Sequence, residues 1–306
     1  MSFILLGILN SQAAGGAAGG IAGYVAGGEQ ATTQVNKFAF PSDSRSTLGT
    51  GLSVGRFAFS PFANSGVAGY AAGGGSGAGN SSVDKFAFPS DTRSTLVATL
   101  STNSQRNGGM ANSGVAGYAS NVGYPSTTVN KFLFSNDSRS TLGTGLSASK
   151  EYSVGMANSG VAGYFGGGRT TVNVATVDKF AFPSDSRSTL GTGLSEARGS
   201  QPGGMANSGV AGYYGGGRNA SAVDVSSVNK FAFPSDSRST LATGLSSNRR
   251  ELCGMANSGI AGYFAGGNGP VSTVDKYSFV DDSRSTLGTG LATAVTLPGA
   301  FANEAL

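Results

Sequence analysis

Two short sequence elements recur six times along this chain, and no other feature constrains its fold as strongly. The first, Val-(Asp/Asn)-Lys-aromatic-x-Phe, has its lysine at Lys37, Lys85, Lys131, Lys179, Lys230 and Lys276. The second ends in Ala-Gly-Tyr, with its tyrosine at Tyr24, Tyr70, Tyr118, Tyr164, Tyr213 and Tyr263. Such a period, close to 50 residues, is typical of repeat architectures in which each unit is one supersecondary structure. The chain is therefore predicted to hold six homologous units.

Within one unit the sequence predicts four strands, shown here for the unit that begins near Gly204. Residues 204–206 form a short first strand, and an Asn-Ser-Gly turn leads to a second strand at residues 210–215. Residues 227–233 alternate with the period of two expected of a third strand, and residues 238–245 follow a Pro-Ser-Asp-Ser turn as the fourth. Four strands in a unit of about 50 residues match one blade of a β-propeller.

The two ends of the chain complement each other. Residues 298–303 match a first strand with no second strand after it, whereas Ile21 begins a second strand with no first strand before it. Pairing these segments completes one blade and removes two exposed strand edges. We therefore predict an all-β fold: a six-bladed β-propeller of four-stranded antiparallel blades at residues 20–306, preceded by an arm at residues 1–19. The ring is closed by a C-terminal first strand that pairs with the N-terminal second strand.

The unit resembles the kelch repeat, in which a hydrophobic second strand ends in a glycine pair. Tyr213-Tyr214-Gly215-Gly216 shows this pattern, and the resemblance covers about residues 20–303. The chain departs from the family in two ways. It has no tryptophan, with Ser-Thr-Leu in the corresponding part of the fourth strand, and Asp/Asn-Lys-Phe replaces the family's Tyr-Asp pair. The resemblance implies the propeller fold.

Composition favours a folded chain without a catalytic site. Glycine accounts for 51 of 306 residues and charged residues for only 12%, but 18 Phe and 10 Tyr are too many for a disordered chain. The absence of histidine removes the usual general base and the commonest metal ligand. Cys253 is the single cysteine, so an intrachain disulfide is impossible. We expect no enzyme activity, no metal and no cofactor.

Charge and the apolar N-terminus restrict the expected partners. The net charge is +4, and Lys and Arg recur singly in each unit without forming a run, so no nucleic-acid partner is expected. An apolar run includes Phe3, Ile4, Leu5 and Leu6. It is too short for a transmembrane segment, which needs about 20 apolar residues. We interpret it as an arm that docks on a partner, with a signal peptide as the alternative.

The most regular charged feature is Asp-x-Arg-Ser-Thr-Leu, which occurs once per unit. Its acidic and basic residues are Asp43 and Arg45, Asp91 and Arg93, Asp137 and Arg139, Asp185 and Arg187, Asp236 and Arg238, and Asp282 and Arg284. One hypothesis is a charged ring that binds an anionic or sugar ligand. The other is structural: each Asp accepts backbone N–H bonds in its own turn, and each Arg binds a carbonyl or a neighbouring blade. The structural hypothesis is preferred because the copies do not break the symmetry.

The same segment resembles the sialidase Asp-box at Asp43, Thr47 and Leu48, although Arg45 stands where that box has glycine. The box is itself a structural element. A match therefore implies no hydrolysis of sugars.

Other repeated residues are predicted to pack the blades together. The six repeated lysines extend from one face of the third strand or pair with a neighbouring aspartate of the same strand, at Asp84, Asp178 and Asp275. The repeated Phe residues fill the space between blades. Four methionines of the first strands line the central channel or pack just behind it, at Met110, Met156, Met205 and Met255.

Two sets of loops differ between units whose flanks are nearly identical. One set joins the blades, at residues 54–61, 102–109, 148–155, 196–204 and 247–254, and the other follows the glycines, at residues 121–127, 169–175 and 218–226. A fixed scaffold with variable loops is typical of a recognition surface, and drift in unconstrained loops is the alternative. The candidate binding residues are Arg56, Arg106, Tyr124, Tyr152, Arg169, Arg198, Arg218, Arg249 and Arg250.

The near-identical blades and the opening Met-Ser-Phe-Ile-Leu-Leu-Gly-Ile-Leu-Asn-Ser resemble virion-associated proteins of marine tailed bacteriophages, especially those that infect cyanobacteria. The resemblance implies a structural or adhesive part of the virion, such as a tail-fibre tip, a tail accessory or a decoration protein. Its partners would be other virion proteins and a host receptor or glycan. Two alternatives remain: a cellular kelch-like interaction scaffold, and a secreted lectin or sialidase-like sugar-binding propeller.

Overall fold

The computed structural model describes residues 21–30, 32–76 and 79–304, whose regular structure consists of β-strands. The strands are β1 Ala22–Ala26, β2 Val35–Ala39, β3 Ser44–Thr47, β4 Ser60–Asn64, β5 Ala68–Ala72, β6 Val83–Ala87, β7 Arg93–Thr95, β8 Gly109–Asn112, β9 Ala116–Ala119, β10 Asn130–Leu133, β11 Arg139–Thr141, β12 Val154–Asn158, β13 Ala162–Gly166, β14 Val177–Ala181, β15 Ser186–Thr189, β16 Gly203–Asn207, β17 Ala211–Gly215, β18 Val228–Ala232, β19 Ser237–Thr240, β20 Cys253–Asn257, β21 Ala261–Ala265, β22 Val274–Ser278, β23 Arg284–Thr286 and β24 Gly299–Asn303.

These strands form six four-stranded antiparallel sheets, which are the blades of a propeller. Blade 1 has the order β24-β1-β2-β3, and blades 2 to 6 each use four consecutive strands. In blade 1, Ala22 lies opposite Asn303 and Ala26 lies opposite Gly299, so the end of the chain supplies the innermost strand for its beginning. The six-bladed fold and its closure by a C-terminal strand are confirmed.

The fourth strand of each blade is shorter than the sequence predicted. In blade 5 the predicted strand at residues 238–245 is observed as β19, Ser237–Thr240. Beyond Thr240 the chain turns inward, because Leu245 is buried under the blade and its N–H donates to the Ser226 carbonyl. The apolar end of the predicted strand therefore belongs to the core of the loop.

A large apolar side chain from each first strand fills the space between neighbouring blades. Phe62 lies so close to Gly117 that a β-carbon there would stand 2.1 Å from the ring, and Met110 restricts Gly163 in the same way at 2.2 Å. The same contact joins Gly23 to Met255, Gly69 to Phe301, Gly212 to Met156 and Gly262 to Met205. The glycine of each Ala-Gly-Tyr element is thus required by the packing of its neighbour. The methionines pack behind the channel wall and also line an axial cavity of about 150 Å³.

A Tyr–Lys–Asp group joins each blade to the next. Asp137 accepts the Tyr70 hydroxyl at 2.9 Å and the Lys85 ammonium at 2.7 Å, both from the preceding blade. Lys85 also lies 5.5 Å from the centroid of the Tyr70 ring. We call these groups the inter-blade triads. The other five are Tyr24, Lys37 and Asp91; Tyr118, Lys131 and Asp185; Tyr164, Lys179 and Asp236; Tyr213, Lys230 and Asp282; and Tyr263, Lys276 and Asp43.

The triads correct the predicted partners of the repeated lysines. Lys85 and Asp84 are successive residues of β6, so their side chains point to opposite faces of the sheet and do not meet. The three aspartates predicted to pair with these lysines instead bind basic residues of the inter-blade loops. These ion pairs are Arg56 with Asp84 at 2.7 Å, Lys150 with Asp178 at 3.4 Å and Arg249 with Asp275 at 2.6 Å.

Because neighbouring strands are antiparallel, the loops that connect them lie alternately on two opposite faces of the ring. Turns that join first to second strands and third to fourth strands are short and nearly identical, and we call their side the repeated face. Loops that join second to third strands and one blade to the next lie on the opposite side, the variable face. Bridges between these loops confirm that both sets meet, for example Ser126 with Lys150 and Gly199 with Arg218.

Candidate functional site

Three of the candidate binding residues converge on the variable face, although they come from three different loops. Arg106 precedes β8, Tyr124 lies between β9 and β10, and Tyr152 precedes β12. The Arg106 guanidinium carbon is 4.7 Å from the centroid of the Tyr124 ring and 4.9 Å from that of Tyr152. Its Nη1 donates to the Tyr124 hydroxyl and, at 2.9 Å, to Glu151 Oε2. We call these four residues the Arg106 cluster.

The backbone holds the Arg106 cluster in an unusual conformation. Arg106 and Tyr152 have φ values of 62° and 59°, in the left-handed region that residues other than glycine rarely adopt. The Arg106 N–H donates to the Ala58 carbonyl at 2.7 Å, and the Tyr152 N–H donates to the Arg106 carbonyl at 2.9 Å. Ala58, Arg106 and Tyr152, which lie shortly before the first strands of three successive blades, are therefore linked by backbone hydrogen bonds. These bonds hold the backbone from which the Arg106 and Tyr152 side chains extend.

Arg106, Tyr124 and Tyr152 each keep one protonation state at neutral pH. Burial opposes the charge of Arg106, but Tyr152 and Glu151 outweigh it and raise the pKa of the guanidinium. Burial also raises the pKa of the Tyr124 and Tyr152 hydroxyls, so both stay protonated at neutral pH. The Arg106 side chain remains 30% exposed. Arg106 therefore keeps its charge within the ion pair with Glu151, and its partly exposed guanidinium lies beside the Tyr124 ring, an arrangement that suits binding to a sugar or a protein surface.

A second charged group lies between the loops of blades 5 and 6. Arg250 Nη1 donates to both carboxylate oxygens of Asp224 at 2.8 and 2.9 Å, and its Nε donates to Glu251 at 3.1 Å. Arg218 approaches Asp224 at 4.0 Å and is 39% exposed. Arg218 and the exposed Arg169 line one groove of about 360 Å³ between blades 4 and 5. Five of the nine candidate residues thus contribute to the surface of the variable face, whereas Tyr152 is buried against Ala58 and Leu297.

Three candidate arginines are also corrected by their burial. Arg56 and Arg198 have no exposed surface and Arg249 is 2% exposed, so none of them can present its guanidinium to a ligand. Arg56 donates to the carbonyls of Gly73 and Ser82 and pairs with Asp84. Sequence reasoning placed them on the surface because they lie in variable loops. Each instead fixes its loop to the blade that follows.

In the Asp-x-Arg pairs the aspartates are taken up by the inter-blade triads. Asp137 does not organise its own turn through local N–H bonds, because its two oxygens are taken by the inter-blade triad. Its φ of 55° is one that aspartate tolerates better than most residues. Arg139 reaches only Thr141 of its own strand, at 3.1 Å, rather than a carbonyl or another blade. Asp137 therefore joins two blades, and its partners differ from the local N–H bonds that the sequence predicted.

Sequence reasoning did not select the acidic residues of the variable face. Glu151, Asp224 and Glu251 each pair with a candidate arginine. Their presence in loops that differ between units was the available signal. The four residues of the predicted docking arm, Phe3 to Leu6, lie outside the described residues.

Comparison with models of known protein families gave no match, and comparison with curated proteins gave none. Residues 21–30, 32–76 and 79–304 include no helix that is long and apolar enough to cross a membrane. Within the same ranges no three Cys, Asp or Glu side chains gather in a group that could hold a metal ion. A functional proposal therefore rests on the geometry of the loops and on the sequence of the repeats.

Proposed function

We propose that this chain is a non-enzymatic structural or adhesion protein of a tailed-phage virion, such as a tail-fibre tip, a tail accessory or a decoration protein. Its variable face would bind a host receptor, a glycan or a partner protein. The observation that carries the proposal is the convergence of two sets of unlike loops on one face of a ring whose other face is repeated. The virion setting comes from the sequence resemblance alone.

The proposed mechanism is rigid display. Six inter-blade triads and the closing strand β24 hold the blades, and ion pairs such as Arg56 with Asp84 hold the loops on them. Arginine and tyrosine are the residues most enriched at the energetic centres of protein interfaces, and the Arg106 cluster combines both. Binding through such a surface needs no conformational change.

The pairing of carboxylates supports a function without catalysis. Hydrolysis of a glycoside usually needs two carboxyl groups free to act as acid, base or nucleophile. On the variable face three carboxylates bind arginines: Glu151 pairs with Arg106, and Asp224 and Glu251 pair with Arg250. Glu29 is exposed and forms no ion pair with the described residues. In this proposal the three paired carboxylates orient the arginines that meet the ligand, and the apolar arm docks the protein on another virion subunit.

The binding part of the proposal is tested on a glycan array. The wild-type chain is compared with an Arg106→Ala/Tyr124→Ala variant and with the control Arg139→Ala, whose arginine lies on an outer strand. Glycan binding that is lost only in the double variant, without release of a reducing sugar, supports adhesion. Release of a reducing sugar overturns the non-enzymatic proposal.

The virion part of the proposal is tested by location. Gold-labelled antibody against the chain should decorate purified phage particles in electron micrographs. Absence of the chain from every particle preparation removes the virion setting. Association with a cellular protein instead would favour the interaction scaffold.

A further inference from the structure

An exposed apolar side chain occupies the same position after every Asn-Ser-Gly turn of the repeated face. Each is exposed by 46 to 52%, and the residues are Val67, Val115, Val161, Val210 and Ile260. Ile21 holds the equivalent position before β1 and is partly buried. Because each follows the innermost strand of its blade, the six side chains surround the central channel. We call them the apolar ring.

The fold explains the other residues of these turns but not the apolar side chain. Asn112 Oδ1 accepts the Gly160 N–H of the next blade at 2.8 Å. Val115 donates its N–H to the Asn112 carbonyl and accepts the Phe134 N–H, both through its backbone. Any residue could make those two bonds. The exposed β-branched side chain is therefore not required for the hydrogen bonds of its turn.

The surroundings of the apolar ring carry little unbalanced charge. The six triad aspartates are neutralised by lysines, as with Asp137 and Lys85. Glu304 lies at the channel mouth on the same side, where burial raises the pKa of its carboxyl to about 8, and Asp281 is exposed in an outer turn. Serine and glycine fill the turns between members of the ring. The charged groups nearest the apolar ring are therefore largely balanced, which lowers the electrostatic cost of bringing two such faces together.

The apolar arm is attached to the same face. The described chain begins at Ile21, itself a member of the apolar ring, and Leu6 lies 15 residues before it in the sequence. The most apolar segment of the sequence thus immediately precedes a strand that begins on this face.

We propose that the repeated face is a self-association surface on which a second copy of this chain docks face to face. A twofold axis perpendicular to the channel places one apolar ring on another of equal number and spacing, so equivalent residues meet across a self-complementary interface. Low charge and apolar character suit the centre of such an interface. The variable faces then point in opposite directions, giving a bivalent particle. The proposal holds whether or not the protein belongs to a virion.

The test is the mass of the full chain in solution, measured by sedimentation velocity from about 1 to 100 μM. The wild type is expected to shift with concentration from 30.3 kDa to twice that mass. A Val115→Thr/Val161→Thr/Val210→Thr variant keeps β-branched residues in the turns and is expected to dissociate at least tenfold more readily. The matched control, Val172→Thr/Val223→Thr, changes valines of the variable face that are 64% and 53% exposed and is expected to behave as wild type.

Circular dichroism and thermal melting confirm that each variant is folded before its mass is interpreted. A monomer at every concentration overturns the proposal, and so does a dimer that the ring variant leaves unchanged. Equal weakening by the control variant also overturns it. A chain lacking residues 1–10 provides a further result: if only this truncated chain dimerises, the arm covers the apolar ring of its own chain and the proposal is wrong.

Discussion

Replacing Asp137 by asparagine removes the charge of one inter-blade triad while leaving its shape. Asparagine tolerates the left-handed φ of 55° at this position and can still accept the Tyr70 hydroxyl. What is lost is the ion pair with Lys85 at 2.7 Å, whose two side chains are 24% and 26% exposed. Hydrogen bonds to charged groups contribute about 1.5–3 kcal/mol, and partial exposure puts this one near the lower end. We expect Asp137→Asn to lower the free energy of unfolding by about 2 kcal/mol.

The matched control lies two residues away in the same motif. Arg139 is exposed and donates only to Thr141, so Arg139→Ala is expected to change stability by less than about 0.5 kcal/mol. Urea unfolding, followed by tyrosine fluorescence and circular dichroism, gives both values. With about 2–4 °C of melting temperature per kcal/mol for a domain of this size class, Asp137→Asn should melt about 4–8 °C below wild type.

Two outcomes would contradict the role of the triads. If Asp137→Asn is as stable as wild type, or if Arg139→Ala costs more than Asp137→Asn, then the triads do not join the blades. A double variant with Lys85→Met adds a check. Its cost should be less than the sum of the two single costs, because both changes remove the same ion pair.

Three further predictions concern packing, protonation and closure. Gly117→Ala should destabilise the ring by about 1–3 kcal/mol in urea unfolding, because its β-carbon would meet Phe62, whereas Gly143→Ala, with no atom within 4 Å, should stay near wild type. Burial raises the pKa of Glu304 from 4.5 to about 8, so its contribution to stability is fully present below pH 4.5 and is lost as pH rises through 8. Melting temperatures of wild type should therefore fall more steeply across that window than those of Glu304→Gln, and parallel curves would contradict this. Deleting residues 299–306 removes β24 and should lower the melting temperature of the whole ring, whereas deleting residues 1–10 should leave it unchanged.

The fold was predictable because the six repeats show the size and number of the blades. The closure of the ring was predictable because the two ends of the chain are complementary parts of one repeat. Strand lengths were less accessible: the apolar residues after Thr240 extend the strand pattern in the sequence, but Leu245 is buried in a loop rather than in the sheet. The glycine of Ala-Gly-Tyr could be located but not explained, since its reason is a Phe or Met from another blade.

The site was predictable in outline only. Variable loops identified Arg106, Tyr124 and Tyr152, but their contact depends on three loops meeting in space. The same criterion wrongly selected Arg56, because a variable loop also needs a residue that fixes it, and sequence alone does not separate a buried arginine from an exposed one. Partners across blades, such as Asp137 for Lys85, are set by the geometry of the ring.

We propose that recognition belongs to the variable face. The most direct measurement is the binding of fluorescently labelled protein to intact cyanobacterial cells by flow cytometry. It compares wild type, Arg106→Ala/Tyr124→Ala, and a repeated-face variant, Val115→Thr/Val161→Thr, in a chain of known mass. We expect at least a tenfold loss of binding per protein chain at subsaturating concentration in the first variant. The second should bind within threefold of wild type once its dimer content is matched. Loss of binding in the second variant with retention in the first would contradict this proposal.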